Sequence, residues 1–345
     1  MKVGIIGFPE SGRRTIFKAL VGFESPDRGV VKVKDPRLEE LEKLLSPKRV
    51  VPVEVEYIRF DESPRDFTRY EGIKGKFLLE LSQVDIIIHV VRAFDDPSVP
   101  HVYGDVNPER DINSMEGELM LSDLLIIERR MERIESQLRG AKGHERDNLI
   151  KEKDFLSRLK KELEDEKPLR KLPLTGEEKK AIAGYGFLSL KPSLIVLNLG
   201  EEKLGKEYSI RSDLRVVPIY GKLEAELMEL EEKDREEMRR AMGLPPDGSR
   251  VMRECLSLLD MITFFTTVSD EVRAWAIERG TRVQKASGKI HSDMERGFIR
   301  AEVISFDDLI KSGGFSEARR KGLIRVEGKD YEVRDGDIIK VLFNV

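Results

Sequence analysis

Gly7-Phe8-Pro9-Glu10-Ser11-Gly12-Arg13-Arg14-Thr15 is the stretch on which the reading of this chain turns. An apolar β run, Val3-Gly4-Ile5-Ile6, precedes it, and Ile16, Phe17, Ala19 and Leu20 follow it with helical spacing. A strand, a glycine loop and a helix in that order make a phosphate-binding unit, because backbone N–H groups converge at a helix N-terminus and the helix dipole favours an anion there. The spacing is that of G-x-x-x-x-G-K-[ST], with two chemical letters changed. Arg13 stands in the lysine position and Arg14 in that of the magnesium-ligating hydroxyl. Thr15 is no simple substitute for that hydroxyl, since the next helical residue points about 100° away. Glu10 adds a negative charge close to where a polyphosphate would lie.

The 345 residues allow two or three domains and a sizeable core. With 39% hydrophobic and 37% charged residues the composition is that of a globular protein. No apolar run approaches the roughly 20 residues of a membrane span, and Met1-Lys2 leads straight into a core strand, so a cytoplasmic protein that does not engage a membrane is expected. One cysteine, Cys255, excludes an internal disulfide framework and a cysteine-based metal cluster. A net charge of −4 provides no global basic field for nucleic acid, so any such contact must come from a local patch.

Along the chain, Val30 to Lys34 reads as a strand, and Asp35-Pro36 as the N-cap and first position of a helix through Leu45. Val53, Val55 and Tyr57 alternate with Glu54, Glu56 and Ile58 in a further strand, and Asp85 to Arg92 is apolar enough to be covered on both faces. His89 within it is expected to be a hydrogen-bonded core histidine. Met120, Leu124, Ile127, Met131, Ile134 and Leu138 form a heptad seam. Leu149, Phe155, Leu156, Leu159 and Leu163 repeat it after a polar turn, which predicts an antiparallel helical hairpin. Thr175-Gly176-Glu177-Glu178 is a capping box. Pro192 to Asn198 and Arg215 to Ile219 restore the sheet, Leu223 to Met242 reads as one helix, and Pro245-Pro246-Asp247-Gly248 marks a boundary before a helix at Arg250 to Asp260. Beyond Met261 the expected order is a strand at Ile262 to Thr266, a helix at Asp270 to Ile277, a strand at Ala301 to Ile304 and a closing strand at Ile338 to Phe343. The predicted fold is α/β: a doubly wound P-loop domain over 1–117 and 184–260, an inserted helical coiled-coil hairpin over 118–183, and a β-grasp α+β domain over 261–345.

Several separated stretches together resemble the YchF/Obg-like ATPase family of P-loop proteins. In the C-terminal part these are Phe264-Phe265-Thr266, Glu271-Val272-Arg273-Ala274-Trp275, Gly288-Lys289-Ile290-His291-Ser292-Asp293, Gly297 to Val303 and Asp335-Gly336-Asp337-Ile338-Ile339, similar to that family's TGS domain. Asp35-Pro36-Arg37-Leu38, His89-Val90-Val91-Arg92 and Gly221-Lys222-Leu223-Glu224-Ala225-Glu226-Leu227 extend the likeness over nearly the whole chain.

The resemblance implies an adenine nucleotide. The family's base-reading N-x-x-E matches Asn198-Leu199-Gly200-Glu201, where guanine-specific relatives carry N-K-x-D, so ATP is expected ahead of GTP or ADP. The nucleotide site would comprise Gly7, Glu10, Ser11, Gly12, Arg13, Arg14 and Thr15 with Asn198, Leu199 and Glu201, and no catalytic residue is assigned. The family's N-V-G-K-S-T reads Glu10 to Thr15 here, its switch threonine has no counterpart in Gly22 to Gly29, and its D-I-A-G falls on Arg59-Phe60-Asp61-Glu62. No metal ligand is therefore assigned, and Mg²⁺ is not expected at its usual place. Asp61 is read as a surface turn acid in preference to a displaced metal-associated carboxylate. Phosphoryl transfer depends on positioning and on neutralising the β and γ oxygens, so these losses imply weak or absent Mg-dependent hydrolysis. By resemblance the partner is the ribosome or a structured RNA, with Arg273, Lys285, Lys289, Arg296 and Arg300 as a candidate basic face; the oligomeric state is not fixed by the sequence. Two alternatives stay open: an active ATPase or GTPase whose metal ligands are replaced, and a scaffold without nucleotide whose loop is filled by Arg13 or Arg14.

Overall fold

A computed structural model describes residues 1–22, 27–61, 72–205, 208, 210–244, 250–268 and 270–344. Part of the presumed switch regions and the Pro245 to Gly248 cluster therefore lie outside the described residues. In chain order the elements begin β1 (Lys2–Gly7), α1 (Arg13–Val21), β2 (Arg28–Lys32), α2 (Pro36–Leu45), β3 (Arg49–Val51), β4 (Glu54–Arg59), α3 (Gly75–Leu81) and β5 (Ile86–Ala93). They continue with α4 (Pro108–Leu138), α5 (Gly143–Glu164), α6 (Gly176–Ile182), β6 (Ser193–Leu199), β7 (Arg215–Ile219), α7 (Gly221–Leu227), α8 (Glu232–Ala241) and α9 (Arg250–Leu258). The last are β8 (Met261–Val268), β9 (Glu271–Glu278), α10 (Val283–Ile290), α11 (Ser292–Arg296), β10 (Phe298–Ser305), α12 (Phe306–Ser312), α13 (Phe315–Arg320), β11 (Arg325–Glu327) and β12 (Asp337–Phe343). Two compact units emerge: Met1–Gly29 with Glu56–Val251, and Val30–Val55 with Met252–Val345.

The first unit is built on a sheet of order β2-β4-β1-β5-β6-β7. β4, β1, β5, β6 and β7 run parallel, with Ile5 opposite Arg59 and Ile6 opposite His89. Every residue of β5 and β6 is buried, as strands covered on both faces require. Ile6, Phe8, Ile58, Phe60, Phe77, Ile87 and Met115 fill one face, while Val91, Ala93, Ile112, Ile195 and Leu197 form a second cluster near the C-terminal strand ends. The heptad prediction holds: Ile127, Ile134, Leu149, Leu156, Leu159 and Leu163 are buried between α4 and α5. Arg130 grips Glu152 with two 2.7 Å bonds, and Lys160 reaches Glu128 across the hairpin. α4 starts at Pro108, capped by the Asn107 side chain, ten residues before the seam becomes readable. Its buried polar residues tie it to its flanks. Glu118 accepts from Gly72 N at 2.9 Å, Ser122 from Ile73 N at 2.6 Å, and Asp123 from Leu188 and Ser189 N at 2.7 and 2.8 Å.

The second unit has the sheet order β11-β10-β12-β8-β9-β3, with β12 parallel to β8 and antiparallel to β10, and β8 antiparallel to β9. That is a β-grasp sheet with α10 on one face. Residues 30–55 belong to this unit: β3 pairs in parallel with β9, and Leu38 and Leu41 of α2 enter the core with Phe265, Ala274 and Ile338. Arg37 bonds Asp35 and, at 2.8 Å, Asp335, stacks 5.3 Å over the Phe265 ring, and so joins the two sequence-distant parts.

Three expectations change. Asp270 to Ile277 is not a helix but the strand β9; its helix-favouring Arg, Ala and Glu are overruled by eight residue pairs with β8. Leu223 to Met242 is broken into α7 and α8, and Arg235 of α8 turns back to donate to the carbonyl of Leu227, the last residue of α7, and to that of Leu230 in the turn between the helices. His89 is in the core, 2% exposed, yet neither ring nitrogen has a hydrogen-bond partner among the described residues; its ring instead meets Phe8 edge-on. Burial, and secondarily the charge of Arg13, lowers its pKa to about 3.

Leu41→Ala should destabilise the protein by about 2–5 kcal/mol in urea unfolding, against no more than about 0.5 for the exposed Leu79→Ala; equal costs would contradict the placement of α2 in a core. His89 stays neutral when folded but protonates below about 6.5 when unfolded, so its contribution is present above that pH and is lost as pH falls toward 3. His89→Leu should therefore be less acid-sensitive than the wild type. Unfolding midpoints that shift in parallel for the two proteins from pH 7 to 4 would refute this.

Candidate nucleotide-binding site

The loop between β1 and α1 takes the conformation its two glycines allow. Gly12 is the N-cap of α1 at φ 90°, in the left-handed region, and a Cβ there would lie 2.2 Å from Asn198 Nδ2. At Gly7 a Cβ would meet Val90 O at 2.5 Å and Ser11 Oγ at 2.7 Å. Ser11 is 3% exposed, and its hydroxyl, directed inward toward Gly7, has no hydrogen-bond partner among the described residues. A buried hydroxyl without a partner is costly unless something polar enters the loop. The first turn of α1 carries no acidic residue, so its positive dipole end is not neutralised locally.

The side chains divide into those that face the loop and those that do not. Arg13 is half-buried, and its Nη1 donates to Phe60 O at 2.8 Å. Burial first, then the nearby Arg59 guanidinium, bring its pKa down to about 10, with Glu10 opposing. Arg14 is exposed and has no ion pair among the described residues; Thr15 is half-buried on α1, and Glu10 is exposed at φ 59°. Arg59, at the C-terminal end of β4, has a side chain 6% exposed and pairs with Asp27 and Asp61.

Asn198, at the end of β6, spans the loop and the next helix. Its Nδ2 donates to Ser11 O at 3.1 Å and its Oδ1 accepts from Gly221 N at 3.2 Å. Leu199 is 4% exposed, within the cluster at the strand ends, and Glu201 is held 3.2 Å from Lys222 on the surface. The structure thus brings Gly7, Ser11, Gly12, Arg13 and Asn198 together, and leaves Arg14 and Glu201 on the exterior.

Arg59 is the residue whose place the sequence alone underrated; the signal was a cation ending an otherwise buried strand. A second feature without a local sequence signal is the buried pair His101 Nε2–Asp111 Oδ2 at 2.9 Å, which fixes the segment carrying Tyr103 beside Phe8 of the loop. Among the described residues, the places from which a P-loop holds Mg²⁺ carry other groups: the hydroxyl position holds Arg14, Arg59 stands at the end of β4, and Asp61 is 68% exposed and engaged by Arg59. Among the described residues no group of three or more His, Cys, Asp or Glu is assembled for a metal ion.

Comparison with known proteins identifies the family. A family model for the C-terminal part of YchF GTPases, described as a protein of unknown function (DUF933), matches residues 261–344. The Ribosome-binding ATPase YchF of Bacillus subtilis is 37% identical over 368 residues, covering all of both chains. That of Escherichia coli O157:H7 is 38% identical over 364 residues, covering all of this chain and 99% of its own. The solved structure of the Schizosaccharomyces pombe YchF GTPase superposes with a TM-score of 0.86 at 26% identity, over 99% of this chain and 97% of that one. With a P-loop sheet, a helical hairpin, a β-grasp module and full-length identity of this order, the chain belongs to the YchF/Obg-like family of P-loop proteins.

Proposed function

We propose that this protein binds an adenine nucleotide in the Gly7 to Thr15 loop, prefers ATP to GTP or ADP, hydrolyses it weakly or not at all with Mg²⁺, and acts in the cytoplasm as a ribosome-associated interaction protein. The observation that carries the nucleotide part is the Ser11 hydroxyl, buried without a partner among the described residues inside a loop whose backbone is held open by Gly7 and Gly12. It supports an anion in the loop over a loop plugged by its own side chains, since Arg13 is turned to Phe60 O and Arg14 outward. Ribosome association rests on relatives of 37–38% identity that carry the words Ribosome-binding ATPase in their names. The preference for adenine rests on Asn198-Leu199-Gly200-Glu201. Weak hydrolysis follows from arginines where a metal's ligands would be, because the transferred phosphoryl group then lacks the cation that bridges its oxygens.

The candidate RNA-facing patch is narrower than five separate cations. Arg273 is paired with Glu271 at 3.1 Å and lies over Trp275, and Arg296 is paired with Asp293. Lys285, Lys289 and Arg300 carry the remaining charge of that set.

Calorimetric titration should show ATP binding at least about fivefold tighter than GTP, abolished by Gly12→Val, with turnover close to the buffer blank. Robust Mg-dependent turnover that Gly12→Val removes would instead establish an active ATPase, and the absence of heat with ATP, GTP and ADP at millimolar concentration a scaffold. Co-sedimentation with ribosomes should weaken between low and moderate salt and weaken further when Lys285, Lys289 and Arg300 are changed to Gln; salt-independent association would exclude a phosphate-contacting patch.

A further inference from the structure

We infer that Arg59, together with Arg13, supplies the positive charge that a magnesium ion would otherwise bring to the phosphates, so that polyphosphate binding at this loop is independent of divalent metal. This inference rests on the nucleotide reading of the loop. The two arginines converge from different elements. Arg13 is the first residue of α1, and Arg59 ends β4 directly opposite Ile5, two residues before Gly7 on the neighbouring parallel strand. The backbone between them is closed by Phe60 N donating to Ile5 O at 3.0 Å and by Arg13 Nη1 donating to Phe60 O at 2.8 Å. The pair therefore sits at the C-terminal edge of the parallel strands, where ligands lie in open α/β sheets.

Two features argue that this cationic pair is made for an anion. First, Arg59 is close enough that its field makes Arg13 easier to deprotonate, against a smaller opposing effect of Glu10. Like charges held together in a poorly solvated place repel, and a shared polyanion removes the repulsion. Secondly, the carboxylates on Arg59 are exchangeable. Asp27 and Asp61 are 53% and 68% exposed whereas the Arg59 side chain is 6% exposed, so the acids lose little on returning to water. A guanidinium also presents a planar fork that matches two phosphate oxygens, which a lysine ammonium does not. The unpartnered Ser11 hydroxyl, 97% removed from solvent in the same loop, supplies an uncharged donor for a third oxygen. A metal ion would have to approach two arginines here, and binding the bare polyphosphate avoids that repulsion.

The test is titration of the full chain with ATP, and separately with inorganic tripolyphosphate, in EDTA and in millimolar Mg²⁺. Wild-type affinity is expected to be equal or weaker with Mg²⁺. Arg59→Gln should lower affinity in EDTA by about tenfold or more for both probes, with Arg59→Lys in between. Asp61→Asn should raise affinity about threefold at an unchanged melting temperature, because it removes a competitor of the phosphate; this opposite-signed variant keeps the test decisive if Arg59→Gln does not fold. Binding that is tenfold tighter with Mg²⁺, with Arg59→Gln and Asp61→Asn both indistinguishable from wild type, overturns the inference and leaves the nucleotide reading standing. Absence of binding in either condition overturns both.

Discussion

The Asn198 side chain is the constraint on which the phosphate loop depends. One end of its amide binds the Ser11 carbonyl and the other the Gly221 amide, so the end of β6, the loop and the start of α7 are fixed to one another inside the sheet edge. A buried amide that loses a partner costs roughly 1–3 kcal/mol, and here both of its ends are satisfied by backbone. The same closeness leaves no room for side chains, since a Cβ at Gly12 or Gly221 would come within 2.2 or 2.5 Å of that amide. The shape of the loop is thus set by the end of β6, two strands away in the sheet, and by backbone, not by residues 13 and 14. That explains how a P-loop can keep its cradle while the side chains that manage metal and charge are exchanged for arginines.

The β-grasp module shows the same economy. Asp35-Pro36-Arg37-Leu38 and Asp335-Gly336-Asp337 look like two unrelated motifs, nearly three hundred residues apart, but they form one cluster. Asp35 caps α2 through Arg37 N, Arg37 reaches back to Asp35 and across to Asp335, and Asp335 in turn accepts from Thr263 N at 2.8 Å at the start of β8. Leu38 then faces the core beneath them. Burial of Leu38 and Leu41 supplies most of the free energy of this junction, and the partly exposed ion pairs fix its register.

Much of this could be read from the residues. Strong periodicity announced β5, β6 and the α4–α5 seam, and specific cap chemistry at Asp35 and Thr175 announced two helix starts, both of which are present with their side-chain bonds. Most of the failures share a cause, namely partners distant in sequence. Glu271-Val272-Arg273-Ala274-Trp275 has helical propensity and becomes a strand only because β8 lies beside it. The sequence around Val50 is too short and polar to announce a strand, and β3 exists by pairing with β9. Arg59 reads as a departure from a motif until its neighbour Arg13 and its two carboxylates are known. The polar sequence at residues 229–232 hides a helix break, across which Arg235 donates back to Leu227 and Leu230.

α4 continues without interruption for 31 residues, a rod of about 46 Å. Toward its middle Glu118 and Ser122 hold the backbone of Gly72 and Ile73, the first described residues after the segment that follows β4, and the adjacent Asp123 holds Leu188 and Ser189. This makes the helix a beam held near its middle. A rotation of about 5° there moves the hairpin tip by about 2 Å, since about half of the rod, some 22 Å, lies beyond Asp123. Run in reverse, a body that seizes the tip must move it several ångströms to shift Gly72 by a fraction of one. A tilt too small to disturb the bonds at the middle of the helix is thus enlarged along its free length.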